Sequence, residues 1–383
     1  MFLALRDLRF ATGRFALMGS VVALISLLLV MLSGLTAGLG GQNTAAIDRL
    51  GEQGVQRLVF GGAAGQEPTA SFTQSEFTVA QRDAWAATDG VASVEPLGVS
   101  QGRAIGLEHP VDTDPQGRAD VSGEPTTGVA TTAFIGLTPG GSDAPAGVEP
   151  GQIVLSQDVA DSLHAQAGDA VAVSGFVYTV ADVVPTEYYS HSPVTWLALE
   201  DWNAISHTAD DAVLGTAGLV RFDAGADVDA VADAGDDAAG TVAETVKGSY
   251  AALPSYRSEN GSLMTMQGFL YGISALVVIA FLSIWTVQRT RDIAVLKALG
   301  GSNGWVLKDS LAQAAFVLVG GVAVGTGLAA AIGAFAGRAV PFELSWATTA
   351  VPAAGVLVLG MLAAVVAVYR VTRIDPLVAL GGN

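Results

Sequence analysis

The sequence predicts an α-helical membrane protein with four transmembrane helices and a large α+β extracytoplasmic domain between helices 1 and 2. Two observations predict this fold class. The 383 residues are 51% hydrophobic and only 14% charged, whereas typical soluble domains carry about 25% charged residues. Charged residues are also absent from four long stretches, and most of the acidic ones gather in residues 41–260.

Each of the four stretches is long enough to cross a bilayer, which takes about 20 apolar residues. They predict membrane helices at residues 15–40, 261–288, 310–337 and 345–369, with a short outer loop at 338–344. A cleaved signal peptide is the alternative for the first stretch. Its apolar run is longer than an ordinary signal core and no clear cleavage site follows it, which favours a membrane helix.

The distribution of charge predicts the orientation in the membrane. Residues 41–260 hold 8 Lys and Arg against 31 Asp and Glu, a net charge of −23. The amphipathic segment 1–14, the loop 289–309 and the tail 370–383 together hold nine Lys and Arg against four Asp. Because basic loops stay in the cytoplasm, we expect a multi-pass plasma-membrane protein with both termini inside the cell and residues 41–260 outside it.

The block at 41–260 has the pattern of an α+β domain, with short alternating strands separated by Gly, Pro and Asp. Thr78 is placed to cap a helix over 79–87, and Ser156 to cap one over 157–166. A weaker pattern indicates a third helix over 227–239. The predicted strands are 57–61, 92–99, 128–137, 152–155, 170–174, 177–184, 194–199 and 217–222.

The residues also exclude or disfavour several kinds of chemistry. A net charge of −18 argues against nucleic-acid binding, which needs a cationic surface. The sequence has no Walker A loop and no G-x-S-x-G elbow, so we expect this chain not to be an enzyme and not to hydrolyse ATP itself. The four histidines lack the spacing of metal ligands. His191 and His207 can meet in space, but isolated surface histidines are the commoner explanation.

The most specific segment of the sequence is QRTRDIAVLKALGGSNGWVLKDSL, at residues 288–311. Ile293, Leu296 and Leu299 fall on one face of a short helix, which the glycines that follow would end. By periodicity alone, such a helix either docks on a soluble partner or lies on lipid headgroups.

The stretch RTRDIAVLKALGGS within this segment resembles the signature of FtsX-like permeases, the MacB-type subunits of ABC transporters. RIDPLVAL at 373–380 is similar to the segment that closes those proteins, and residues 151–180 are similar to their periplasmic core domain. The resemblance extends over nearly the whole chain. It implies a homodimeric permease, embedded in membrane lipid, with two copies of a separate ATPase subunit that binds the ATP, and no intrinsic cofactor.

The resemblance further implies that residues 294–301 lie in or beside the helix that couples the permease to its ATPase. The expected coupling residues are Arg289, Arg291, Asp292, Ala294, Lys297, Gly300 and Gly301. In this family the ATPase stroke moves the external domains and the outer ends of the helices, a process called mechanotransmission. Substrate does not ordinarily pass through a central channel.

The two outer-leaflet junctions carry a sharper resemblance. MLSGLTAGLGGQN at 31–43 ends helix 1, and PSYRSENGSLMTMQGFL at 254–270 opens helix 2. Both resemble the haem-exporter permeases of the HrtB group. This resemblance implies that haem is the transported ligand, captured laterally from the membrane at the dimer interface.

Candidate haem-binding residues lie at the same junctions. Met31 offers a thioether to haem iron, Glu259 a carboxylate and Tyr256 a phenol. An unpaired carboxylate is costly at the membrane entrance, although Glu259 also suits a helix N-terminus and has an arginine two positions earlier as a partner. Met264 and Met266 share this entrance, but methionine more often fills apolar gaps.

Small residues on helix 1 predict a dimer seam. Gly34 and Gly38 form a G-x-x-x-G step, and Ala37 and Gly41 add a second small-residue spacing. Such spacings let two helices approach closely. Plain dimer packing explains these residues whatever the substrate is.

Two other functions stay open. The permease could export a peptide, a lipid or an antibiotic, with the external domain guiding or gripping the substrate. It could instead transport nothing and switch a cell-wall hydrolase in the manner of FtsX itself, although the external block is larger than in typical cell-division members.

Overall fold

The computed structural model describes residues 12–63, 66–206, 210, 212–288, 303–338 and 340–372. The chain divides into two compact units. Among the described residues, the membrane unit comprises 12–39 and 260–372, and the α+β unit comprises Gly40–Glu259.

The described residues form eight α-helices, four of them long and four short. They are α1 (Thr12–Glu52), α2 (Val79–Ala86), α3 (Gln157–Leu163), α4 (Leu199–Ile205), α5 (Val228–Ala239), α6 (Pro254–Gln288), α7 (Asn303–Ala336) and α8 (Trp346–Thr372). The part of the chain that the structure describes also has one 3₁₀-helix, Gly248–Ala252, which precedes α6.

The four long helices are apolar enough to cross a membrane. The spans that meet this criterion are Phe15–Glu52, Pro254–Trp285, Lys308–Ala336 and Trp346–Val368. Together with the α+β unit between the first and second of them, they confirm the predicted fold class. α1 runs on to Glu52 and α6 begins at Pro254, so both helices extend past the predicted membrane segments. Proline suits the first position of a helix, where its missing N–H is not needed.

Small residues bring α1 and α7 together inside the membrane unit. A Cβ atom added at Gly321 would lie 2.9 Å from the carbonyl oxygen of Gly19, and one at Gly325 would lie 2.9 Å from the carbonyl carbon of Ala23. The two glycines are four residues apart and share one face of α7, so that face can lie directly on the backbone of α1. Apolar side chains from all four helices surround this contact, among them Met18, Val22, Val278, Leu318 and Val356.

The α+β unit contains twelve described strands. They are β1 (Arg57–Phe60), β2 (Phe77–Thr78), β3 (Val91–Leu107), β4 (Thr126–Leu137), β5 (Gln152–Ser156), β6 (Ala170–Val173), β7 (Phe176–Val184), β8 (Tyr188–Tyr189), β9 (Ser192–Ala198), β10 (Val213–Gly215), β11 (Ala217–Phe222) and β12 (Val242–Thr245). Every strand predicted from the sequence is present, with ends displaced by a few residues except at β3.

Six of these strands close into a ring in the order β3-β4-β9-β5-β7-β6, because β6 pairs back onto β3. The first half of β3 pairs instead with β11. From β11 the sheet continues through β1 to β12. β3 is 17 residues long, about twice the predicted 92–99. Glycines at 98, 102 and 106 obscure its alternating pattern, since glycine disfavours strands. Gly98 admits the buried ring of Trp202, because a Cβ atom there would lie 2.5 Å from Cε3.

The capping predictions have mixed outcomes. Thr78 caps α2 as expected, since its Oγ1 accepts from the N–H of Gln81 and the Gln81 side chain accepts from the N–H of Thr78. The prediction for Ser156 is wrong: α3 does begin after it, but its hydroxyl donates to the carbonyl oxygen of Val194. α3 also ends at Leu163, short of the predicted 166, because His164 adopts a left-handed backbone with φ 52°.

A separate apolar cluster joins α2 and α5 to the sheet around Trp85. The indole is fully buried against Gly235, where a Cβ atom would lie 2.5 Å from the ring. Its Nε1 donates to Oγ1 of Thr241 at 2.9 Å, and that hydroxyl donates to Asp236 at 2.7 Å. The largest side chain of the cluster is therefore both packed and hydrogen-bonded.

Candidate ligand-binding residues

The membrane unit contains an apolar cavity of about 660 Å³. Its walls come from α1, α6 and the segment between α7 and α8. The lining residues are Leu28, Met31, Leu32, Leu35, Met266, Phe269, Leu270, Val340 and Phe342. All nine are apolar, so this lining offers dispersion contacts and two polarisable thioether sulfurs.

Phe342 closes one side of this cavity because two helices carry glycine where its ring lies. A Cβ atom at Gly34 would lie 2.5 Å from Cε2 of the ring, and one at Gly333 would lie 2.7 Å from Cζ. The next residue, Glu343, donates its backbone N–H to the carbonyl oxygen of Gly34 at 3.0 Å. The segment between α7 and α8 is thus held against α1 by packing and by a hydrogen bond.

Two of the three methionines that the sequence singles out line the cavity. Met31 comes from α1 and Met266 from α6. Met264 does not contribute to the lining and is 58% exposed. Residues two apart on a helix point in different directions, which is why only one of the two α6 methionines contributes.

The expected dimer seam is partly occupied within the chain. Gly34 packs against Phe342, and a Cβ atom at Gly38 would lie 2.5 Å from the carbonyl carbon of Pro341. Ala37 is partly buried, and among the described residues no atom beyond its chain neighbours and its own helix backbone lies within 4 Å of a Cβ placed at Gly41. The close approach at Gly34 and Gly38 is therefore made by the chain itself, and their role in a contact between two copies stays a prediction.

Glu259 belongs to the α+β unit, and its carboxylate lies within hydrogen-bond distance of two side chains. Nε2 of His191 lies 3.0 Å from Oε1 and 2.9 Å from Oε2, and Nδ2 of Asn43 donates to Oε2 at 3.2 Å. The side chains of His191 and Glu259 are 30% and 39% exposed, so solvent still reaches the pair. Sequence reasoning offered Arg257 as the partner of Glu259, whereas the structure pairs it with histidine.

A chain of hydroxyl groups orients the Asn43 amide. Ser255 Oγ donates to Asn43 Oδ1 at 2.7 Å, and Ser190 Oγ lies 2.8 Å from Ser255 Oγ. Because Oδ1 accepts from Ser255, the amide NH₂ group is directed to Glu259. The carboxylate, the Asn43 amide on α1 and the His191 ring on the β8–β9 hairpin therefore form one cluster, in which Nδ2 of Asn43 and Nε2 of His191 are also 3.0 Å apart.

His191 reaches Glu259 from a strained two-residue loop. Ser190 and His191 join β8 to β9 with φ values of 47° and 63°. Positive φ at both positions of such a loop usually requires Asn-Gly or a similar pair. The backbone N–H groups of Ser190 and His191 donate to the carbonyl oxygens of Asn43 and Gln42 at 3.1 and 2.9 Å, which fixes the loop on α1.

Tyr256 is partly buried and packs against the apolar core of the α+β unit. Its ring centroid lies 5.5 Å from that of Tyr250, in an edge-on arrangement. The Tyr250 hydroxyl donates to the Asp48 carboxylate, and burial together with this carboxylate raises the pKa of Tyr250. The contacts of Tyr256 are those of a packing residue, and its role toward haem stays a prediction.

Sequence reasoning missed His191 and Asn43 as partners of Glu259. His191 is 68 residues from Glu259, and Asn43 is 216 residues away. The one available signal was the pair Ser190-His191 between two strand-like runs, which predicts a hairpin loop but no partner. Among the described residues, no three His, Asp or Glu side chains are grouped to hold a metal ion, and His207 lies outside those residues.

The predicted coupling residues lie outside the described residues. They are Arg289, Arg291, Asp292, Ala294, Lys297, Gly300 and Gly301. The described part of α6 ends at Gln288, and that of α7 begins at Asn303.

Solved structures provide distant likenesses, of which the following is an example. The periplasmic region of MacB from Actinobacillus actinomycetemcomitans is 10% identical, with a TM-score of 0.33, and the match covers 50% of this chain and 89% of that one.

Sequence relatives are more informative. A Staphylococcus epidermidis protein named as a hemin transport system permease, HrtB, is 22% identical, with 100% of both chains covered. The protein of the same name from Staphylococcus haemolyticus is 29% identical over 130 residues, which span 34% of this chain and 37% of that relative. Residues 264–376 match the family described as FtsX-like permease C-terminal. The chain therefore carries the C-terminal domain of the FtsX-like permeases.

Proposed function

We propose that this chain is the permease of an ABC-type efflux system and that it exports haem. The observation that carries the proposal is its similarity, over the full length of both chains, to a permease named for hemin transport. The apolar cavity lined by Met31 and Met266 supports the proposal. The active form is a homodimer bound to two copies of a separate ATPase.

The chemistry of the cavity suits a flat, largely apolar ligand. Its volume of about 660 Å³ lies within the range of about 300–1,000 Å³ that is usual for small-molecule sites. A methionine thioether is an established ligand of haem iron. Because α1 and α6 both have the composition of membrane helices, haem dissolved in the bilayer would reach the cavity laterally.

The energy for transport must come from a partner, since the sequence has no phosphate-binding Walker A loop. The excess of basic residues at 1–14, 289–309 and 370–383 supports a cytoplasmic location for these segments, with the α+β unit outside the cell. The ATPase would then bind at 289–301. Its stroke would be transmitted through α1 and α6, which are continuous helices of 41 and 35 residues.

Titration of the purified protein with haemin tests the proposal. We expect a Soret shift in the wild type. Met31→Ala and Met266→Ala should weaken binding by about tenfold, equivalent to about 1.4 kcal/mol. Met264→Ala is the matched control, because it removes a thioether from α6 outside the cavity, and it should bind as the wild type does.

Haem sensitivity of a deletion strain provides the cellular test. Loss of the gene should sensitise cells to haem, and the Met31→Ala protein should restore less resistance than the Met264→Ala protein. A wild-type protein without a Soret shift, or a deletion strain with unchanged haem resistance, would overturn the assignment of haem.

Export of a peptide or an antibiotic is the second candidate, and one observation favours it. The α+β unit has an open cleft of about 740 Å³. Its lining mixes polar and aromatic side chains, among them Gln74, Ser100, Gln101, Trp202 and Ser206. A deletion strain that becomes sensitive to peptides or drugs but not to haem would support this candidate.

A further inference from the structure

We propose that the open cleft of the α+β unit binds an extended peptide segment with basic side chains, which adds as a strand to a free length of β3. This binding goes beyond the proposed export of haem and does not depend on what the cargo is. The cleft belongs wholly to the α+β unit. Three of its features favour such a ligand: a gap in the sheet, a lining rich in acceptors, and two hydroxyl groups without partners.

One edge of β3 lacks a partner strand for part of its length. β4 pairs with β3 along one edge, from Gly98 onward. Along the other edge, β11 pairs as far as Leu97, and β6 begins to pair at Ala104. Between them, residues 98–103 meet no strand on that edge in the part of the chain that the structure describes. The gap is roughly 20 Å long, which is room for a short strand.

The backbone of Gln101 faces this gap. The N–H of Val99 donates to Oγ1 of Thr216, the residue just before β11, at 3.2 Å. Alternate residues of a strand direct their backbone N–H and C=O groups to the same edge, and Gln101 is two residues further along. All three residues line the cleft, as does Ser174 in the β6–β7 turn at the far end of the gap. An extended peptide in the cleft can therefore pair with the main chain of β3.

The charged groups of the cleft are both negative. Glu76 and Asp210 line it, and no Lys, Arg or His is among the described lining residues. Neither carboxylate forms a salt bridge with another described residue. Residues 41–260 as a whole carry a net charge of −23, which attracts cations over a longer range. Basic side chains on the peptide are therefore complementary to the cleft.

Two side-chain donors of the lining are already used within the fold. The NH₂ group of Gln101 donates to the carbonyl oxygen of Ser190 at 3.3 Å and to Oγ of Ser192 at 2.9 Å. The indole N–H of Trp202 donates to Oγ of Ser100 at 3.0 Å. The carboxylates, by contrast, are acceptors when ionised. The lining therefore favours a ligand that is rich in donors, as ammonium and guanidinium groups are.

Two hydroxyl groups in the wall of the cleft have no hydrogen-bond partner among the described residues. They belong to Ser75 and Ser206, and both residues line the cleft. Ser75 is only 5% exposed, and buried hydroxyl groups normally have a partner. A bound peptide brings backbone N–H and C=O groups next to these residues, whereas an apolar ligand brings none.

The experiment measures binding of a short blocked peptide of alternating lysine and valine to the full-length protein in detergent. The anisotropy of a neutral fluorophore on the peptide reports binding. One control peptide carries glutamate in place of lysine. A second keeps the lysines but is N-methylated at every backbone nitrogen, which removes the donors that strand pairing needs. We expect the basic peptide to bind, with lower affinity at high salt, and both controls to bind at least about tenfold more weakly.

Variants of the protein test the two halves of the proposal. Glu76→Gln and Asp210→Asn should each weaken binding of the basic peptide about two- to fivefold, as is usual for exposed charge pairs. Glu124→Gln removes an exposed carboxylate outside the lining and should have no effect. Gln101→Pro removes the N–H at the free edge, where proline is tolerated, and should weaken binding about tenfold relative to Gln101→Ala.

Each outcome supports or overturns the proposal. No binding of the basic peptide, equal binding of the acidic one, or an equal loss in Glu124→Gln would overturn it. Displacement of nothing by the peptide but saturable binding of maltotriose would assign the cleft to an uncharged ligand instead. Unchanged binding of the N-methylated peptide would exclude strand addition, and this result decides the question should Gln101→Pro fail to fold.

A haemin titration of the same variants separates this proposal from the proposed function. Glu76→Gln and Asp210→Asn should give the wild-type Soret shift, because neither residue lines the apolar cavity. A wild type that binds the basic peptide but gives no Soret shift would leave the peptide cleft in place and overturn the assignment of haem.

Discussion

The ring of Phe342 occupies the space that a side chain at Gly34 would need, with Cε2 only 2.5 Å from the position of a Cβ atom. The two residues are far apart in the sequence, yet their contact forms one wall of the apolar cavity. Substitution of Gly34 therefore tests both the packing of the membrane unit and the cavity.

Gly34→Ala should displace the Phe342 ring and destabilise the protein by about 1–3 kcal/mol, as is usual for overpacking. It should also weaken haemin binding, because the displaced ring lines the cavity. Thermal unfolding in detergent and haemin titration measure the two effects. Gly272→Ala is the control, since nothing lies within 4 Å of a Cβ at that position. Equal stability of the two variants would show that the contact does not matter.

Gly325→Ala should be more damaging than Gly327→Ala. The first places a methyl group 2.9 Å from the carbonyl carbon of Ala23 and 2.8 Å from Cβ of Ser26, whereas the second has open space around it. A backbone cannot move aside as a rotamer can, so we expect a loss of about 1–3 kcal/mol for Gly325→Ala. Gly327→Ala should be neutral or stabilising, because alanine favours helix. Unfolding of the two variants in mixed detergent micelles gives the comparison.

Thr241→Val should destabilise the α+β unit by about 1–3 kcal/mol, because it leaves the buried Trp85 N–H without an acceptor. The same change removes a donor to Asp236. Thr88→Val is a suitable control, since that hydroxyl bonds only within its own helical turn, to Ala84. Tryptophan fluorescence during denaturation reports the difference. A Thr241→Val protein that unfolds together with the control would contradict the prediction.

Glu187 predicts a specific pH dependence of stability. Burial raises the pKa of this carboxyl, against the smaller lowering effect of Arg49. The proton is therefore held more firmly in the folded state, so the group stabilises the fold below its unfolded-state pKa. That contribution is lost as pH rises through the raised folded-state pKa. Glu187→Gln removes the ionisable carboxyl group and so abolishes this loss of folding stability at higher pH.

Melting temperatures measured from acid to neutral pH test the predicted effect of Glu187 on stability. The advantage of Glu187→Gln over the wild type should grow as pH rises. Glu149→Gln removes one negative charge from an exposed position and corrects for the general effect of net charge. A constant difference across the range would show that Glu187 does not titrate abnormally.

The sequence alone predicted the four membrane helices, the position of the α+β unit between the first two, most of its strands and the cap at Thr78. These features depend on composition, on periodicity over some ten residues and on hydrogen bonds within one turn, all of which are local. The full length of β3 was not predicted, because glycines at 98, 102 and 106 interrupt the local pattern. In the fold, one of these glycines, Gly98, makes room for the ring of Trp202.

The candidate site was only partly predictable. Residue chemistry picked out Met31, Met266 and Glu259, but only the tertiary structure brought Met31 and Met266 to one cavity and excluded Met264. Likewise, only the tertiary structure showed that His191 lies within hydrogen-bond distance of Glu259 and that the ring of Phe342 packs against Gly34. The physical reason is that these contacts join positions that are distant in the chain. They depend on how the helices pack and on where the strained β8–β9 hairpin is anchored, and no local sequence pattern encodes either.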